Sequence, residues 1–256
     1  MGTQTHRPTH PGDADLAAVG ALVSDRARAR ILLALGDGRA LPASMLAAEA
    51  GVSASTASAH LGRLLDGGLL EVLPQGRHRY YRLAGPQVGE LVETMARVAP
   101  PAPVRSLREG TRAHALRSGR TCYDHLAGRL GVGIFSGLIE HGWVTGGDGL
   151  HHVEAAVQDR LAAPGGDLDY RLTPAGRDGL SELGVALPGA APDRTVALRY
   201  CVDWSEQRHH LSGAVGRALA QRLIELGWIR RLRGSRAVTL SDEGREELAR
   251  RVGLEV

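Results

Sequence analysis

The two cysteines of this 256-residue chain occur in similar motifs, each with an aspartate two positions later and histidine further on. Thiolates and imidazoles suit zinc-like or softer cations, and the repeated Cys-x-Asp motifs could present two ligand sets that meet between modules. The candidate effector or metal residues are Cys122, Asp124, His125, Cys201, Asp203, His209 and His210. The motifs specify no particular ion, so the cofactor stays unknown.

Three other roles stay open for these positions. The thiols could form a redox pair, because a cysteine near a histidine can have a depressed pKa and react with an oxidant. Cysteine is also among the residues most often buried, so both could pack as small hydrophobic side chains. An organic effector could instead bind in an apolar pocket beside aromatic residues, for which the candidates are Phe135, Trp143, Tyr170 and Trp204.

A second group of residues suits nucleic acid, and it lies between Leu41 and Leu83. Gly51 follows an apolar segment that could form a helix. Helices often end at a residue in the left-handed conformation, and glycine adopts it most easily because it has no Cβ. Ser53 can then cap a second helix, since its side-chain oxygen can accept from a free backbone N–H. Helical spacing places four apolar residues on one face of that helix: Ala57, Leu61, Leu64 and Leu65. The pattern predicts a helix-turn-helix.

Leu69–Val72 and Tyr80–Leu83 are predicted to form the two strands of a hairpin after this helix. Its tip, Pro74 to Arg79, is rich in basic side chains that could neutralise DNA phosphates. Small hydroxyl side chains at the start of the helix would let its backbone approach base edges closely. The candidate DNA-binding residues are Ser53, Ser55, Thr56, Ser58, His60, Arg63, Arg77, His78 and Arg79. For His60, the alternative is a half-buried histidine that packs against the hairpin.

This ordered set of elements resembles the ArsR-type winged helix-turn-helix repressors over about residues 14–99. In that family the helix with the S-x-S-T-x-S-x-H-L pattern enters the major groove, and it corresponds here to Ser53–Leu61. The wing corresponds to Gly76–Leu83, and the helices that pair two subunits correspond to Leu16–Val23 and Val88–Val98. The resemblance implies a homodimer that binds an operator in double-stranded DNA, with an inverted repeat and repression as the default outcome.

The chain departs from the metal-sensing members of that family. Those members carry a Cys-x-Cys pair in the helix before the turn, or Asp and His ligands on the last helix of the domain. The corresponding segments here, SMLAAEAGV and VGELVETMARV, contain neither cysteine nor histidine. We therefore expect any effector to act on the C-terminal region.

That region contains an internal repeat, whose copies begin at Cys122 and Cys201. In each copy a Leu-x-Gly triplet precedes a later leucine by twelve positions, and a helix ends in Gly-Trp. We predict a mainly α fold with small β-hairpins (α+β), in which a winged helix-turn-helix precedes a C-terminal domain of two winged-helix-like repeats. The predicted segments are a flexible tail at 1–13, a DNA-binding and dimerisation domain at 14–99, a proline-rich linker at 100–104, and repeats at 105–187 and 188–256.

The composition is that of a multidomain DNA-binding protein of the cytoplasm. The net charge is only +3, so the basic character is local, as in the hairpin tip. A later hairpin is also basic, and we expect its arginines to be solvated: Arg230, Arg231, Arg233 and Arg236. Two cysteines form no secretory disulfide framework, and no membrane span or signal peptide is evident. No familiar catalytic motif is present, so we expect no enzyme.

Two alternatives from other functional classes stay open. The first is a metal- or thiol-redox-handling protein that uses Cys122 with His125 and Cys201 with His209 and does not bind DNA. The second is an enzyme in which Cys122 acts as nucleophile and His125 as base.

Overall fold

The computed structural model describes residues 14–75, 78–100, 103, 106–152, 168–187, 196–232 and 235–255. These residues fall into two compact units. The first contains the residues up to Leu35 and Arg39–Val88, and the second contains Gly36–Gly38 and the residues from Gly89 onward.

The first unit is a helix-turn-helix followed by an antiparallel hairpin. Its elements are α1 (Leu16–Val23), α2 (Arg26–Ala34), β1 (Leu41–Pro42), α3 (Ala43–Ala50), α4 (Ala54–Asp66), β2 (Leu70–Gln75) and β3 (His78–Leu83). The strands form one sheet in the order β1-β3-β2. A winged helix-turn-helix is therefore present, as predicted.

Local sequence explains the turn between α3 and α4. Gly51 has a φ of 72°, and its N–H donates to the carbonyl of Ala47, which ends α3 in the left-handed conformation that favours glycine. Ser53 then caps α4 by accepting from the backbone N–H of Thr56. On the predicted apolar face, Ala57, Leu61 and Leu64 are buried, whereas Leu65 is only partly buried.

The hairpin is longer than the sequence predicted. Strands β2 and β3 pair from Leu70 with Leu83 to Gln75 with His78. Pro74 therefore pairs with Arg79 inside the ladder, although both were predicted at the tip. The ladder can include Pro74 because β2 is an edge strand of the sheet, where a proline disrupts no further strand pairing.

Helix α5 (Pro86–Val98) begins in the first unit, and from Gly89 it belongs to the second. The second unit also contains helices α6 (Leu107–Ser118), α7 (Gly128–Glu140), α8 (Pro174–Glu182), α9 (Gly213–Glu225) and α10 (Asp242–Val252). Its strands are β4 (Arg120–Cys122), β5 (His125–Ala127), β6 (Val144–Thr145), β7 (Arg171–Leu172), β8 (Val196–Ala197), β9 (Arg199–Val202), β10 (His209–Ser212), β11 (Ile229–Arg231) and β12 (Val238–Leu240).

The same order of elements occurs twice in this unit. Among the described residues, a two-stranded hairpin, a helix, two strands and a second helix occur in this order from β4 to α8 and again from β9 to α10, with β8 added beside β7. One core serves both copies, and it includes Phe135, Tyr170 and Trp228. Among the described residues, no helix is both long and apolar enough to span a membrane.

Candidate functional site

Helix α4 presents hydroxyl groups at its start. The Ser53 hydroxyl lies 3.0 Å from that of Ser55 and 2.9 Å from that of Thr56, so these three side chains form a small polar cluster around the cap. Ser55, Thr56, Ser58 and the basic Arg63 are all exposed. The first turns of α4 therefore offer a polar surface of small side chains, whereas Ser53 is partly engaged in holding the helix end.

His60 is half-buried, and its charged neighbour is Asp25. Its side chain is 14% exposed, and its Nδ1 lies 3.8 Å from a carboxylate oxygen of Asp25. Asp25 in turn caps α2 by accepting from the backbone N–H groups of Ala27 and Arg28, and that hydrogen bond from Arg28 lowers the pKa of Asp25. His60 therefore faces the start of α2, and a contact of its ring with DNA stays a prediction.

The hairpin of β2 and β3 carries exposed positive charge at Arg79. Arg82, further along β3, forms an ion pair across the ladder with Glu71, which neutralises part of its charge. Arg77 lies outside the described residues, and only the backbone of His78 is described. Arg79 is thus the candidate phosphate contact of the hairpin that the structure positions.

In the second unit, four side chains that could bind a metal come together. The ligand atoms of Cys122, His125, Cys201 and His210 all lie within 4.8 Å of one another, and we refer to these four residues as the Cys/His cluster. Each repeat contributes one cross-strand pair. Cys122 lies opposite His125 on β4 and β5, and Cys201 lies opposite His210 on β9 and β10.

The imidazoles of the Cys/His cluster are buried with unsatisfied nitrogens. The Nδ1 of His125 lies 3.2 Å from a carboxylate oxygen of Asp124, while its Nε2 has no hydrogen-bond partner among the described residues. The Nδ1 of His210 lies 3.6 Å from Asp203, and neither ring nitrogen of His210 makes a hydrogen bond to a described residue. Buried polar atoms of this kind are uncommon because desolvation without a partner is costly.

The four groups perturb one another's proton affinities. The thiols of Cys122 and Cys201 lie close together, and their interaction raises the pKa of Cys122 and lowers the pKa of Cys201. Burial opposes the charged form of His125, but its contacts with Asp124 and Cys201 prevail and raise its pKa to about 9. These shifts favour a negative charge on Cys201 and a positive charge on His125.

The two aspartates of the predicted set lie next to the Cys/His cluster as partners of its histidines. Asp203 is fully buried and accepts from Arg120 at 3.0 Å and from the backbone N–H of Gly128 at 2.7 Å. Burial raises the pKa of Asp203, but the charges of Arg120 and His210 and the hydrogen bonds from Gly128 and Ser205 together lower it to about 2. Asp124 likewise has a lowered pKa: burial opposes ionisation, and the interactions with His125 and Arg217 together outweigh it. The spacing of the motifs suggested that both aspartates are ligands. In the structure they instead lie beside the histidines of the Cys/His cluster.

His209 is separated from the Cys/His cluster, which corrects its predicted pairing with Cys201. Its Nδ1 lies 2.9 Å from the hydroxyl of Tyr170, and its ring centroid lies 4.3 Å from that of Tyr200. Successive residues of a strand point to opposite faces, so only one of two adjacent histidines can share a face with the opposing cysteine. The register selects His210.

A buried charge network next to the Cys/His cluster was not anticipated from the sequence. Arg120 has no exposed surface, and it lies between Asp203 and Glu93 of α5, the latter at 3.9 Å. Glu93 also forms an ion pair with Arg236, which is only 6% exposed, so Arg236 is not the solvated residue that the basic hairpin suggested. Arg230 and Arg231 are exposed, and Arg233 lies outside the described residues.

The aromatic residues proposed for an organic effector do not converge on one pocket. Phe135 and Tyr170 are fully buried and pack edge to face at 5.0 Å between ring centroids. The guanidinium of Arg120 lies 4.5 Å above the ring of Trp204.

Cys122 and His125 are 4% and 5% exposed, which leaves a nucleophile and base at these positions little access to a substrate.

Comparisons with known proteins concern both units. A helix-turn-helix domain family matches residues 23–72. The uncharacterized HTH-type transcriptional regulator YdfF of Bacillus subtilis is 38% identical over 231 residues, covering 90% of this chain and 94% of that protein. The HTH-type transcriptional regulator Rv0324 of Mycobacterium tuberculosis is 39% identical over 85 residues, covering 33% of this chain and 37% of that protein.

Among solved structures, one similar chain is the homodimeric winged helix-turn-helix DNA-binding domain Mb0332 of Mycobacterium bovis, described as a possible ArsR-family transcriptional regulator. It is 31% identical and has a TM-score of 0.29, and the match covers 34% of this chain and 86% of that one.

Proposed function

This chain belongs to the helix-turn-helix transcriptional regulators, with a winged domain of the ArsR type, and from that premise we propose that it is a homodimeric repressor controlled through its C-terminal repeats. In this proposal the operator is an inverted repeat in double-stranded DNA. Such a regulator acts in the cytoplasm, where its operator is.

The exposed start of α4 is the observation on which DNA reading rests. Ser55, Thr56 and Ser58 have short side chains with hydroxyl groups, so the helix backbone can come close to base edges and phosphates in the major groove. Arg63 and Arg79 add exposed positive charge on α4 and on the hairpin. In this proposal the helix supplies the sequence contacts and the hairpin supplies phosphate contacts.

Helix α1 supports the homodimer. Its sequence, LAAVGALV, is entirely apolar apart from glycine, yet none of its residues is buried within the chain, and Leu16 is 77% exposed. An apolar helix is stable in water only when a partner covers it, and a second copy of the chain is the partner that an inverted-repeat operator requires. Two copies of α4 would then lie about one helical turn of DNA apart.

Helix α5 supports control by the C-terminal repeats. It leaves the hairpin of the first unit, and its Glu93 is held by Arg236 and lies close to Arg120 within the second unit. A change in the repeats that displaces these arginines would displace α5 as well. A ligand of the repeats that binds more tightly with α5 in one position than in the other favours that position. Operator affinity then changes by no more than this difference in binding free energy.

Selection of operator sequences from a random DNA library tests the proposal. The full chain should enrich an inverted repeat with half-sites whose centres are about 10 base pairs apart, or a multiple of that. A reporter gene placed behind the selected site should be expressed less in the presence of the protein. Failure to enrich any sequence, with a correctly folded dimer in the assay, would refute the proposed function.

A further inference from the structure

We propose that one divalent cation of the zinc class binds in the Cys/His cluster, with all four side chains as its ligands: Cys122, His125, Cys201 and His210. This inference names the chemical class of the effector, and only its regulatory consequence rests on the proposed function. The ion binding itself depends on the geometry of the second unit alone.

The donor set matches that of a closed tetrahedral site. Two thiolates and two imidazoles are a common ligand set for Zn²⁺, with bond lengths of about 2.3 Å to sulfur and about 2.0 Å to nitrogen. In a tetrahedron with those bonds, ligand atoms are roughly 3.3–3.8 Å apart. The ligand atoms of the Cys/His cluster lie within 4.8 Å of one another, so small side-chain movements suffice to close the site.

The buried histidines distinguish a metal site from the other roles open to the thiols. A disulfide between Cys122 and Cys201 would leave the Nε2 of His125 and both ring nitrogens of His210 buried without a hydrogen-bond partner among the described residues. Simple packing of the cysteines as small hydrophobic residues leaves the same nitrogens unexplained. A cation bound to one nitrogen of each ring would satisfy a buried nitrogen of both histidines and would bind both thiolates at the same time.

The groups behind the histidines have the arrangement that orients metal ligands. A ligating histidine usually presents its second nitrogen to a carboxylate, which fixes the ring and raises its basicity. His125 has Asp124 at 3.2 Å from Nδ1, and His210 has Asp203 at 3.6 Å from Nδ1. In each case Nε2 is left to face the ion.

The two repeats contribute equivalent ligands. His125 directly precedes the first Leu-x-Gly triplet and begins β5, and His210 directly precedes the second triplet on β10. Each histidine lies opposite the cysteine of its own hairpin. The ion would therefore join the hairpin of β4 and β5 to the hairpin of β9 and β10, and it would link the two repeats.

Metal titration of the full chain tests this site. The protein is purified under reducing conditions, stripped with a chelator and titrated with Zn²⁺, and its metal content is measured by mass spectrometry. We expect one ion per chain. Co²⁺ in place of Zn²⁺ should give the visible absorption of a tetrahedral site with thiolate ligands.

His210→Ala and His209→Ala form the matched pair of variants. The residues are adjacent and similarly buried, but only His210 belongs to the Cys/His cluster. His210→Ala and Cys201→Ser should each weaken Zn²⁺ binding by more than about 100-fold, because loss of a supporting group alone already costs 10- to 100-fold. His209→Ala should leave the affinity unchanged in protein whose circular dichroism shows it folded.

Three results would overturn the metal site. They are less than one ion per wild-type chain, a Co²⁺ spectrum without thiolate bands, and equal losses of affinity in the two histidine variants. Operator binding is measured on the same stripped sample, which separates the two proposals. Stripped protein that binds DNA but takes up no ion refutes the metal site alone, whereas protein that binds the ion but enriches no DNA refutes the proposed function alone.

Discussion

Single side chains in this protein have roles that their neighbours in sequence do not share. Arg79 and Arg82 lie on the same strand, but Arg82 is paired with Glu71 while Arg79 is exposed. Buried Arg236 and exposed Arg230 differ in the same way on the last hairpin. Charge in the sequence therefore indicates available charge only after ion pairs and burial are known.

Replacing Arg79 with alanine should weaken DNA binding and reduce its dependence on salt. Each lost phosphate contact lowers the slope of log affinity against log salt by about 0.9 for B-form DNA. Fluorescence anisotropy with the selected operator at several salt concentrations gives that slope. Arg230→Ala, which removes an exposed arginine from a different hairpin, is the control and should leave the slope unchanged, and an unchanged slope for Arg79→Ala would refute the phosphate contact.

Replacing Glu93 with glutamine should destabilise the second unit. The change leaves Arg236 buried without its charged partner, and breaking a buried ion pair from one side costs about 3–5 kcal/mol. Urea unfolding measures the loss. Glu247→Gln is the control, because Glu247 pairs with Arg250 and Arg251 near the surface, where water screens the charges, and it should unfold almost as the wild type does.

Two helices of the first unit combine a capped start with exposed side chains. The start of α4 is fixed by Ser53, while Ser58 one turn later is exposed. Helix α1 is capped by Asp15, which accepts from the backbone N–H of Ala18, yet the helix covers no core. The caps hold these helices in place, so their remaining side chains are free for a partner.

Two serine variants of α4 should separate stability from DNA reading. Ser53→Ala removes the cap and should lower the free energy of unfolding by about 1 kcal/mol. Ser58→Ala removes an exposed hydroxyl and should leave stability unchanged while it weakens or relaxes operator binding. Thermal unfolding and anisotropy on both variants make the comparison; a stable Ser53→Ala protein would contradict the role of the cap.

Charge introduced into α1 should separate the dimer. Leu16→Arg places a cation on the apolar helix that a second copy is proposed to cover, and desolvating it there is unfavourable. Sedimentation velocity should show a shift from dimer to monomer at micromolar concentration. Leu107→Arg, at a 94% exposed position that begins α6, is the control, and a Leu16→Arg protein that stays dimeric would place the interface elsewhere.

For the whole molecule, the proposed control of DNA binding by the ion depends on α5. His210 lies next to Asp203, Asp203 accepts from Arg120, and Arg120 lies 3.9 Å from Glu93 on that helix. Helix α5 begins at Pro86, after the hairpin of the first unit, and belongs to the second unit from Gly89.

Metal loading should change operator affinity by a factor within the range of about 5 to 150 that is typical of coupled sites. The wild type is compared in anisotropy with and without Zn²⁺, and His210→Ala should lose the difference. By linkage, operator DNA should change the affinity for Zn²⁺ by the same factor. An equal operator affinity with and without the ion would show that the ion is structural and that the signal enters elsewhere.

The sequence alone determined the helix-turn-helix, because its signals are local. Gly51 at a left-handed position, Ser53 as a cap and the apolar spacing from Ala57 to Leu64 each act within a few residues of themselves. The sequence also indicated that both cysteines could act together, because they occur in similar motifs with histidines nearby.

Only the tertiary structure decided which histidines meet the thiols and which charges are buried. His210 rather than His209 joins Cys201 because the strand register sets which histidine faces the cysteine, and that register depends on the pairing of β9 with β10. Arg120, Glu93 and Arg236 are far apart in sequence and become partners only when the chain folds. Local residue patterns carry no information on such distant pairings, since long-range packing fixes them.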